Sequence, residues 1–515
     1  MAERKLGHVR VAVIGAGFGG LGAAVRLRRA GMTDFVVLER ADAVGGTWRD
    51  NSYPGCACDV PSQLYSFSFA PNPEWPRNFS GQPHIRSYLE KITDTLELRP
   101  HIRFNSEVHA VRWDGGELHW VIKTSTGTFT ADVAVSATGP LSDPKIPDIP
   151  GLDGFPGKVF HSSRWDHDYD LHGKRVAVIG TGASAIQFVP KIQPIVGQLT
   201  LFQRTPPWVL PRIDRKITDL ERWLYRRVPF TQALRRGLLW GIRELQVGAF
   251  TKRPKWLGLI ERVAKSRMRK IVKDLVMREA LTPDYRIGCK RILLSNDYYP
   301  ALTQPNVNLV AGLREVRGST LIAADGTQAD VDVVIFGTGF RATDMPIAER
   351  VTGAAGTTLA QEWKEGMEAL RGASPAGFPN FLTIIGPNTG LGNNSMIIII
   401  EAQLNYLVDF LRQLDTLGDK VALDARPSAV RAWNDGLQER MRTTVWNTGC
   451  ESWYLDANGR NTTVWPGTTS EFRKATRQVD LTEYAVLRPS GRAGIGPTQA
   501  DSATAGAEIS EDAAA

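Results

Sequence analysis

The chain has little cysteine and no long apolar run, and both absences narrow the kind of protein it can be. Four cysteines in 515 residues cannot build a disulfide framework, which predicts a protein of the reducing cytoplasm. The apolar run at 396–400, the longest in the chain, is far too short to span a bilayer. The polar N-terminus leads directly into an apolar strand, so no signal peptide is predicted.

Recognisable metal and nucleic-acid motifs are lacking as well. Cys56 and Cys58 form a Cys-x-Cys pair with no matching second pair and no histidine cluster. We therefore interpret them as ordinary thiols and predict no metal site. The net charge of +8 is not accompanied by a recognition motif, so we predict no nucleic-acid partner.

What the chain does have is glycine, with 49 residues, and two glycine-rich segments each follow a short apolar strand. In the Gly-x-Gly-x-x-Gly/Ala pattern, the first position permits a tight turn, the second lets the backbone approach a pyrophosphate, and the third lets a helix pack on the strand. The positions are Gly15, Gly17 and Gly20 in the first segment and Gly180, Gly182 and Ala185 in the second. The two segments predict two dinucleotide sites, and therefore two redox cofactors held face to face.

The residues that end the following strands distinguish the two sites. Glu39 ends the strand of the first unit, where a carboxylate can accept hydrogen bonds from ribose hydroxyls. The second unit has Arg204 and Thr205 at the corresponding place, and Lys290 is a further candidate cation. A guanidinium and a hydroxyl suit a ribose 2′-phosphate, so the second site is predicted to prefer NADP to NAD.

The alternation of strand and helix patterns predicts an α/β fold with two Rossmann-like dinucleotide-binding domains and a helical insertion. Strands are predicted at 9–14, 35–38, 133–137, 176–179, 199–202, 331–336 and 381–385, and helices at 17–30 and 395–414. The predicted domains are a discontinuous first nucleotide domain at 1–140 and 380–488, a second at 151–212 and 287–379, the insertion at 213–286 and a disordered tail at 489–515.

The insertion is crowded with Arg and Lys, and Leu, Trp and Phe recur among them at roughly helical spacing. Two interpretations are open: a membrane-surface helix, or a solvated helical cap over the active site. We favour the cap because the segment interrupts a nucleotide domain.

Asp59 and Arg291 are the predicted catalytic pair. An arginine stays protonated throughout the working pH range and can stabilise a developing oxyanion, while an aspartate can hold it in position. An Asp and an Arg so far apart in sequence are more often unrelated surface charges, so that interpretation also stays open.

Three longer motifs lie around the glycine segments. The first has the pattern Phe-x-Gly-x-x-x-His-x-x-x-Trp-Asp, at Phe155, Gly157, His161, Trp165 and Asp166. The second is Gly-Gly-x-Trp with an aromatic-Pro-Gly and a later Asp, at Gly45, Gly46, Trp48, Tyr53, Pro54, Gly55 and Asp59. The third is Asp332 followed by Gly337, Thr338 and Gly339. With these motifs the chain resembles the flavin-dependent Baeyer–Villiger monooxygenases, of the single-component flavoprotein monooxygenase class.

This resemblance implies an enzyme that uses FAD, NADPH and O2 to convert ketones to esters or lactones through a C4a-peroxyflavin. FAD is expected in the first nucleotide domain, with Gly46, Thr47 and Trp48 among the cofactor contacts, and NADPH in the second. The matching arginine of the family stabilises the peroxide and its ketone adduct, which gives Arg291 that role, with Asp59 tuning it.

Three further residues gain expected roles from the resemblance. Trp453 resembles a tryptophan that contacts the nicotinamide cofactor. His161 is expected to be hydrogen-bonded in the segment that joins the two nucleotide domains. Asn393 stands where relatives often have His, near the expected flavin edge.

The sequence leaves alternatives open. Trp165 and Asp166 favour the ketone-oxidising branch, because heteroatom monooxygenases usually carry another aromatic residue at that place. A sulfide or amine monooxygenase is the main alternative. A non-catalytic redox sensor fits less well, as does a flavin disulfide reductase, whose dithiol could only be Cys56 and Cys58. The sequence determines neither the ketone nor the oligomeric state.

Overall fold

The computed structural model describes residues 5–252 and 256–489. Its strands are β1 (Lys5–Ile14), β2 (Phe35–Leu38), β3 (Ile102–Arg103), β4 (Val108–Asp114), β5 (His119–Thr124), β6 (Gly127–Ser136), β7 (Lys158–His161), β8 (Arg175–Ile179), β9 (Gln198–Gln203), β10 (Val209–Leu210), β11 (Leu293–Leu294), β12 (Val307–Ala311), β13 (Leu313–Arg317), β14 (Thr320–Ala323), β15 (Gln328–Asp330), β16 (Val333–Phe336), β17 (Val351–Thr352), β18 (Phe381–Thr383), β19 (Ala422–Ala425) and β20 (Tyr484–Leu487). Its helices are α1 (Phe18–Arg29), α2 (Thr47–Asp50), α3 (Gln82–Thr95), α4 (Ala185–Ile192), α5 (Asp219–Arg227), α6 (Pro229–Thr251), α7 (Leu257–Ile271), α8 (Leu275–Ala280), α9 (Tyr298–Leu302), α10 (Pro346–Arg350), α11 (Leu359–Glu362), α12 (Met396–Leu417), α13 (Pro427–Met441) and α14 (Thr469–Ala475).

The first sheet has eight strands and is built around β1. Its order is β17-β4-β5-β6-β1-β2-β3, and β18 also pairs with β6. β1 runs parallel to both β2 and β6, with Val11 opposite Phe35 and Val133. The central strands are apolar and buried because helices cover the sheet. The carboxyl ends of β1 and β6 therefore meet at one edge, where the first glycine turn lies.

The second sheet has five parallel strands in the order β12-β9-β8-β16-β7. β8 and β16 lie side by side, with Ile179 opposite Phe336, so both end at the second glycine turn. The predicted strands and helices of both nucleotide units are confirmed, with shifts at their ends; β16, for example, begins at Val333 rather than at 331. The predicted α/β class with two Rossmann-like sheets is confirmed.

The C-terminal third of the described chain returns to the first sheet. Helix α12 packs against α1, and a Cβ added to Gly22 would lie 2.6 Å from a methyl group of Leu404. Glycine at position 22 thus lets the Leu404 side chain pack directly against α1. The predicted return of the helix at 395–414 to the first nucleotide unit is confirmed.

The segment 213–286 is helical, as predicted. Helices α5 to α8 lie between β10 and β11, two short strands that pair in parallel, with Val209 opposite Leu293. The insertion thus leaves and re-enters the second nucleotide unit at one place. The limits assigned to the domains stay predictions, and all but the first residue of the predicted disordered tail lies outside the described residues.

Candidate active site

A cavity of about 1270 Å³ lies between the two sheets. Both glycine turns line it, together with the segment after α2 and the residues around Arg291. Ligand sites in open α/β sheets lie beyond the carboxyl ends of the strands, which is where this cavity opens. The cavity therefore joins the two predicted dinucleotide sites in one space.

The first glycine turn has the backbone that its pattern predicts. Gly15 has φ +101°, and a Cβ there would lie 2.8 Å from the carbonyl oxygen of Ala137. A Cβ on Gly20 would lie 1.8 Å from the carbonyl oxygen of Gly15, so no larger residue fits. Gly17 caps α1 without any side-chain hydrogen bond, and the first turn of α1 has no acidic residue. The N–H groups at this helix end are thus suited to a pyrophosphate.

The second glycine turn repeats this arrangement. Gly180 has φ +103°, and a Cβ there would lie 2.8 Å from the carbonyl oxygen of Gly337. Gly182 precedes α4, which begins at the fully buried Ala185 and has neither a side-chain cap nor an acidic residue in its first turn. The second helix end is also suited to an anion.

Glu39 lies at the cavity wall, but its carboxylate is already engaged. It accepts hydrogen bonds from the backbone N–H of Ala16 at 2.8 Å and of Ala41 at 3.0 Å. Arg49 pairs with it at 2.7 Å, in a site where both side chains are buried. Glu39 therefore fixes the glycine turn itself, and a bound ribose would have to share these oxygens. The pairing of Arg49 with Glu39 was not predicted from the sequence.

Gly46, Thr47 and Trp48 line the cavity next to the first turn. Gly46 has φ +51°, and its added Cβ would lie 3.0 Å from the Cα of Gly17, so the two backbones pass close together. Trp48 is buried and donates from Nε1 to the Tyr65 hydroxyl at 3.1 Å. All three predicted cofactor contacts line the cavity.

Asp59 and Arg291 meet in this cavity although 232 residues separate them. Arg291 donates from Nε to one carboxylate oxygen at 2.8 Å and from Nη2 to the other at 2.7 Å. This bidentate geometry fixes the plane of the guanidinium. Arg291 Nη1 has one long contact, 3.5 Å to the carbonyl oxygen of Leu391. The interpretation of the pair as unrelated surface charges is wrong.

Each partner keeps the other charged. The Asp59 carboxylate raises the pKa of Arg291 further above its ordinary value, and this effect outweighs burial. Burial alone would raise the pKa of Asp59, but the charge and hydrogen bonds of Arg291 lower it. The pair therefore stays ionised throughout the neutral pH range, and it places a permanent cation in the cavity.

Two other side chains near this pair were not singled out by the sequence. Tyr454 is buried beside Arg291, and burial raises the pKa of its hydroxyl. Arg243 lies on the inner side of α6. Burial lowers its pKa, the charge of Asp59 raises it, and the charge of Arg291 lowers it further. Arg243 could not be found from sequence because no motif surrounds it, whereas Tyr454 is adjacent to the predicted Trp453.

The predicted 2′-phosphate residues also line the cavity. Arg204 is exposed and follows β9, and Thr205 lies beside it. Lys290 stacks its ammonium over the Tyr285 ring at 4.7 Å from the centroid. Burial lowers the pKa of Lys290, and so does the positive charge of Arg204. The two cations are thus near enough to repel each other, an arrangement that a bound dianion would relieve.

Trp453 and His161 have different surroundings. Trp453 lines the cavity, is 44% exposed, and packs on Tyr454 with ring centroids 4.5 Å apart. His161 is buried at the end of β7, where its Nδ1 accepts from the backbone N–H of Ser163 at 3.1 Å. Burial lowers the pKa of His161 to about 4. His161 is therefore a neutral, hydrogen-bonded residue at neutral pH, as expected.

Asn393 contacts the insertion. Its side-chain amide donates to the carbonyl oxygen of Arg243 at 3.0 Å, and the neighbouring Asn394 donates to Glu244 at 3.1 Å. The unusual residue at position 393 thus links the cavity wall to α6.

The four cysteines differ in state. Cys56 and Cys58 are free and buried, and burial raises the pKa of both thiols, that of Cys56 to about 12. Such thiols stay protonated and react slowly, which argues against a dithiol reductase. Cys289 and Cys450 form a disulfide that joins the segment of Arg291 to the segment of Trp453. This bond pairs two residues 161 positions apart and was not predicted from the sequence.

Comparisons with known proteins identify the family to which this chain belongs. Residues 8–358 match the flavin-binding monooxygenase-like (FMO-like) family. The chain is 71% identical, over 98% of both chains, to a protein of Streptomyces coelicolor named Baeyer–Villiger monooxygenase. The chain belongs to the Baeyer–Villiger monooxygenases.

Solved structures show the same fold bound to cofactors. Cyclohexanone monooxygenase from Rhodococcus sp. Phi1 bound to NADP+ is 27% identical, with a TM-score of 0.83 over 93% of this chain and 99% of that one. A structure titled OTEMO complex with FAD and NADP is 28% identical, with a TM-score of 0.81 over 93% and 99%. The predicted fold, enzyme class and pair of cofactors are therefore confirmed.

Proposed function

We propose that the protein is an NADPH- and O2-dependent flavoprotein monooxygenase that converts ketones to esters or lactones. The observation that carries this proposal is the bidentate Asp59–Arg291 pair in the cavity between two dinucleotide-binding turns. A reductase or a redox sensor needs the turns but has no use for a fixed cation beside them.

The residues present fit both cofactors. FAD would be held by the first turn, with Gly15 and Gly17 beside its pyrophosphate, Gly20 keeping the helix close to the turn, and Gly46 to Trp48 next to them. NADPH would be held by the second turn. When bound, the two cofactors supply hydride transfer and the activation of O2. The protein supplies position, charge and the exclusion of water.

Arg291 is the proposed catalytic residue. Attack on a ketone carbonyl places negative charge on oxygen, and a guanidinium already fixed in the cavity stabilises that charge without reorganising. Two of its nitrogens are occupied by Asp59, and Nη1, with its long contact to Leu391, is the group best placed to donate. In mutagenesis of comparable sites, one such donor accounts for about 100- to 1000-fold in rate.

Asp59 is the proposed positioning residue. Its two hydrogen bonds set the plane of the guanidinium, and its charge keeps the pair neutral as a unit in a half-buried cavity. An unpaired arginine there would turn toward any acceptor. Asp59 thus acts on the reaction through Arg291.

The preference for NADPH is proposed to come from Arg204, Thr205 and Lys290. Arg204 and Lys290 are close enough to affect each other's charge, and β9 ends without an acidic residue. A 2′-phosphate between two cations would form charge-assisted hydrogen bonds that NAD lacks. Trp453, at the cavity surface, is proposed to contact the nicotinamide half. A cytoplasmic location stays a prediction.

The test is NADPH-driven oxygen consumption by the purified, FAD-loaded protein, with hydrogen peroxide quantified. Cyclic, linear and aryl ketones and one sulfide are supplied separately, and the products are identified. Ester or lactone formation coupled to oxygen uptake is expected. Sulfoxide without any ester would move the protein to the heteroatom monooxygenases, and no oxygen uptake with any substrate would contradict the proposal.

A further inference from the structure

The outward face of α6 is apolar. Phe230, Leu234, Leu238, Ile242 and Leu245 are 72%, 62%, 55%, 45% and 84% exposed. Their spacing of four, four, four and three residues places them in one stripe along the helix. A helix of 23 residues is about 35 Å long, so this stripe is a continuous surface and not a scatter of single side chains.

The inward face of the same helix carries polar side chains along with buried apolar ones such as Val247 and Phe250. Gln232 is buried and donates to Gln63 at 2.8 Å. Arg236 donates to the carbonyl oxygens of Gln63 and Ser66 at 2.8 and 2.9 Å. Glu244 accepts from the hydroxyl of Thr469 at 2.8 Å. Helix α6 therefore buries polar contacts on its inner side while it exposes an apolar stripe on its outer side, which a helix that faces only water does not do.

The other helices of the insertion extend this apolar surface. Fourteen of the nineteen exposed large hydrophobic residues of the described chain lie between 213 and 276. Beyond α6 they include Leu220 and Trp223 on α5, Leu259 and Val263 on α7, and Leu275 and Val276 on α8. A cap that met only water would not concentrate apolar side chains on its outer side.

The insertion also carries the positive charge of the protein. Residues 213–286 contain nineteen Lys and Arg against eight Asp and Glu, a surplus larger than the +8 of the whole chain. The rest of the protein is therefore net negative. Arg227, Lys252, Arg262 and Lys270 are exposed beside the apolar positions. Apolar and basic side chains thus occur together on one part of the surface.

We propose that the outer face of the insertion docks on the surface of an anionic phospholipid bilayer. An apolar stripe flanked by Lys and Arg suits the boundary between headgroups and acyl chains, and basic residues near an anionic surface add attraction of about 1 kcal/mol each. Within 5–252 and 256–489 the structure has no helix long and apolar enough to cross a membrane, so the contact is with the surface.

Charge decides against a second copy of the chain as the occupant. Two insertions placed face to face would bring two large positive surpluses together, and like charges across an interface disfavour association. An anionic lipid surface has the opposite charge. The opposite charges of the insertion and of an anionic lipid surface therefore favour the bilayer over a second copy of the chain.

The docked face is close to the candidate catalytic pair. Arg243, on the opposite side of α6, senses the charges of Asp59 and Arg291, and its carbonyl oxygen accepts from Asn393. The bilayer would therefore lie about one helix diameter, roughly 10 Å, from the cavity. The insertion acts as a cap on its inner side and as a docking surface on its outer side, so both interpretations of the sequence apply.

The test is flotation of the FAD-loaded protein with vesicles of phosphatidylcholine alone or mixed equally with phosphatidylglycerol. The wild type is expected to float with the mixed vesicles, and less so as salt rises. The double variant L234Q/L238Q is expected to bind at least tenfold more weakly, because it removes two of the largest apolar side chains of the stripe. The matched control I195Q/V486Q changes two exposed apolar residues outside the insertion and is expected to bind as the wild type does.

Three results would overturn the proposal. The first is no flotation with either vesicle, and the second is equal binding to neutral and anionic vesicles. The third is a dimer in light scattering that L234Q/L238Q dissociates while vesicle binding is unaffected, which would assign the face to a second copy. FAD content and melting temperature establish that each variant is folded. Binding is measured without turnover, so failure here leaves the proposed reaction untouched.

Discussion

The two glycine turns have nearly the same backbone but opposite chemistry at the end of the next strand. Gly15 and Gly180 have φ of +101° and +103°, and each would place a Cβ 2.8 Å from a carbonyl oxygen of a neighbouring strand end. After β2 stands Glu39, buried and tied to the turn, whereas after β9 stands the exposed Arg204. We propose that the turn provides for dinucleotide binding and that the following residue sets which dinucleotide is preferred.

The turns also differ in how tightly they are closed. A Cβ on Gly20 would strike the carbonyl oxygen of Gly15, while the equivalent position of the second turn accommodates Ala185. Glu39 further ties the first turn through Ala16. We infer that the first site is built to hold its cofactor permanently and the second to exchange it, and four substitutions test this difference.

The largest effect is expected from Gly20→Ala. The added methyl group would lie 1.8 Å from a backbone oxygen, so the turn itself must move. We expect a loss of about 3 kcal/mol in the free energy of unfolding, the upper end for overpacking, and purification largely without FAD. Denaturant unfolding and the flavin absorbance measure both. Gly154→Ala, where nothing lies within 4 Å, is the control, and equal behaviour of the two variants would contradict the prediction.

Glu39→Gln is expected to come next. It removes the charge that Arg49 contacts at 2.7 Å in a buried pair. We expect the free energy of unfolding to fall by about 2 kcal/mol. This is less than the roughly 3–5 kcal/mol expected when a buried charge loses its only partner, because Asp50 still contacts Arg49. Glu107→Gln, which breaks an exposed pair with Arg350, is the control and should cost under about 1 kcal/mol. If Glu39→Gln and Glu107→Gln lowered the free energy of unfolding equally, Glu39 would not be the residue that fixes the turn.

Arg204→Ala is expected to change cofactor preference without changing stability. The KM for NADPH should rise about tenfold, the value of one charged hydrogen bond, while the KM for NADH changes little. Steady-state kinetics with both cofactors measure the ratio. An equal rise in the KM for NADPH and for NADH would show that Arg204 does not bind the 2′-phosphate.

Lys290→Met is expected to have the smallest effect. Burial and the nearby Arg204 both disfavour its charged form and lower its pKa, and its ammonium already lies over the Tyr285 ring, so we expect a rise of only about threefold in the KM for NADPH. Lys91→Met, at an exposed position on α3, is the control. A rise larger than that of Arg204→Ala would reverse the order of the two cations.

Local pattern was enough to predict the parts of the fold that depend on local chemistry. The strands and turns around Gly15 and Gly180 followed from short apolar runs and glycine spacing, because backbone geometry there depends on adjacent residues. The pairing of Asp59 with Arg291 was an expectation from family resemblance, since 232 residues separate them and only the folded chain brings them together.

Other features could not be predicted because they depend on which face of an element is covered. The helical spacing of apolar residues in the insertion did not show which of them are covered: Leu234 is 62% exposed while Gln232 is buried. The buried pair of Glu39 with Arg49 was missed for the same reason. The spacing of residues in the sequence does not show which part of the folded chain a helix or a loop packs against.

The most direct test of the account is the Arg291→Ala variant, loaded with FAD and followed in two separate half-reactions. Anaerobic reduction by NADPH, which needs both turns but not this cation, should stay within about threefold of the wild type. Ester formation from ketone in air should fall by about 100- to 1000-fold. Arg291→Lys should recover only part of it, because lysine keeps the charge but loses the planar fork that Asp59 holds. Undiminished ester formation by Arg291→Ala would contradict the central claim that this fixed cation stabilises the reaction.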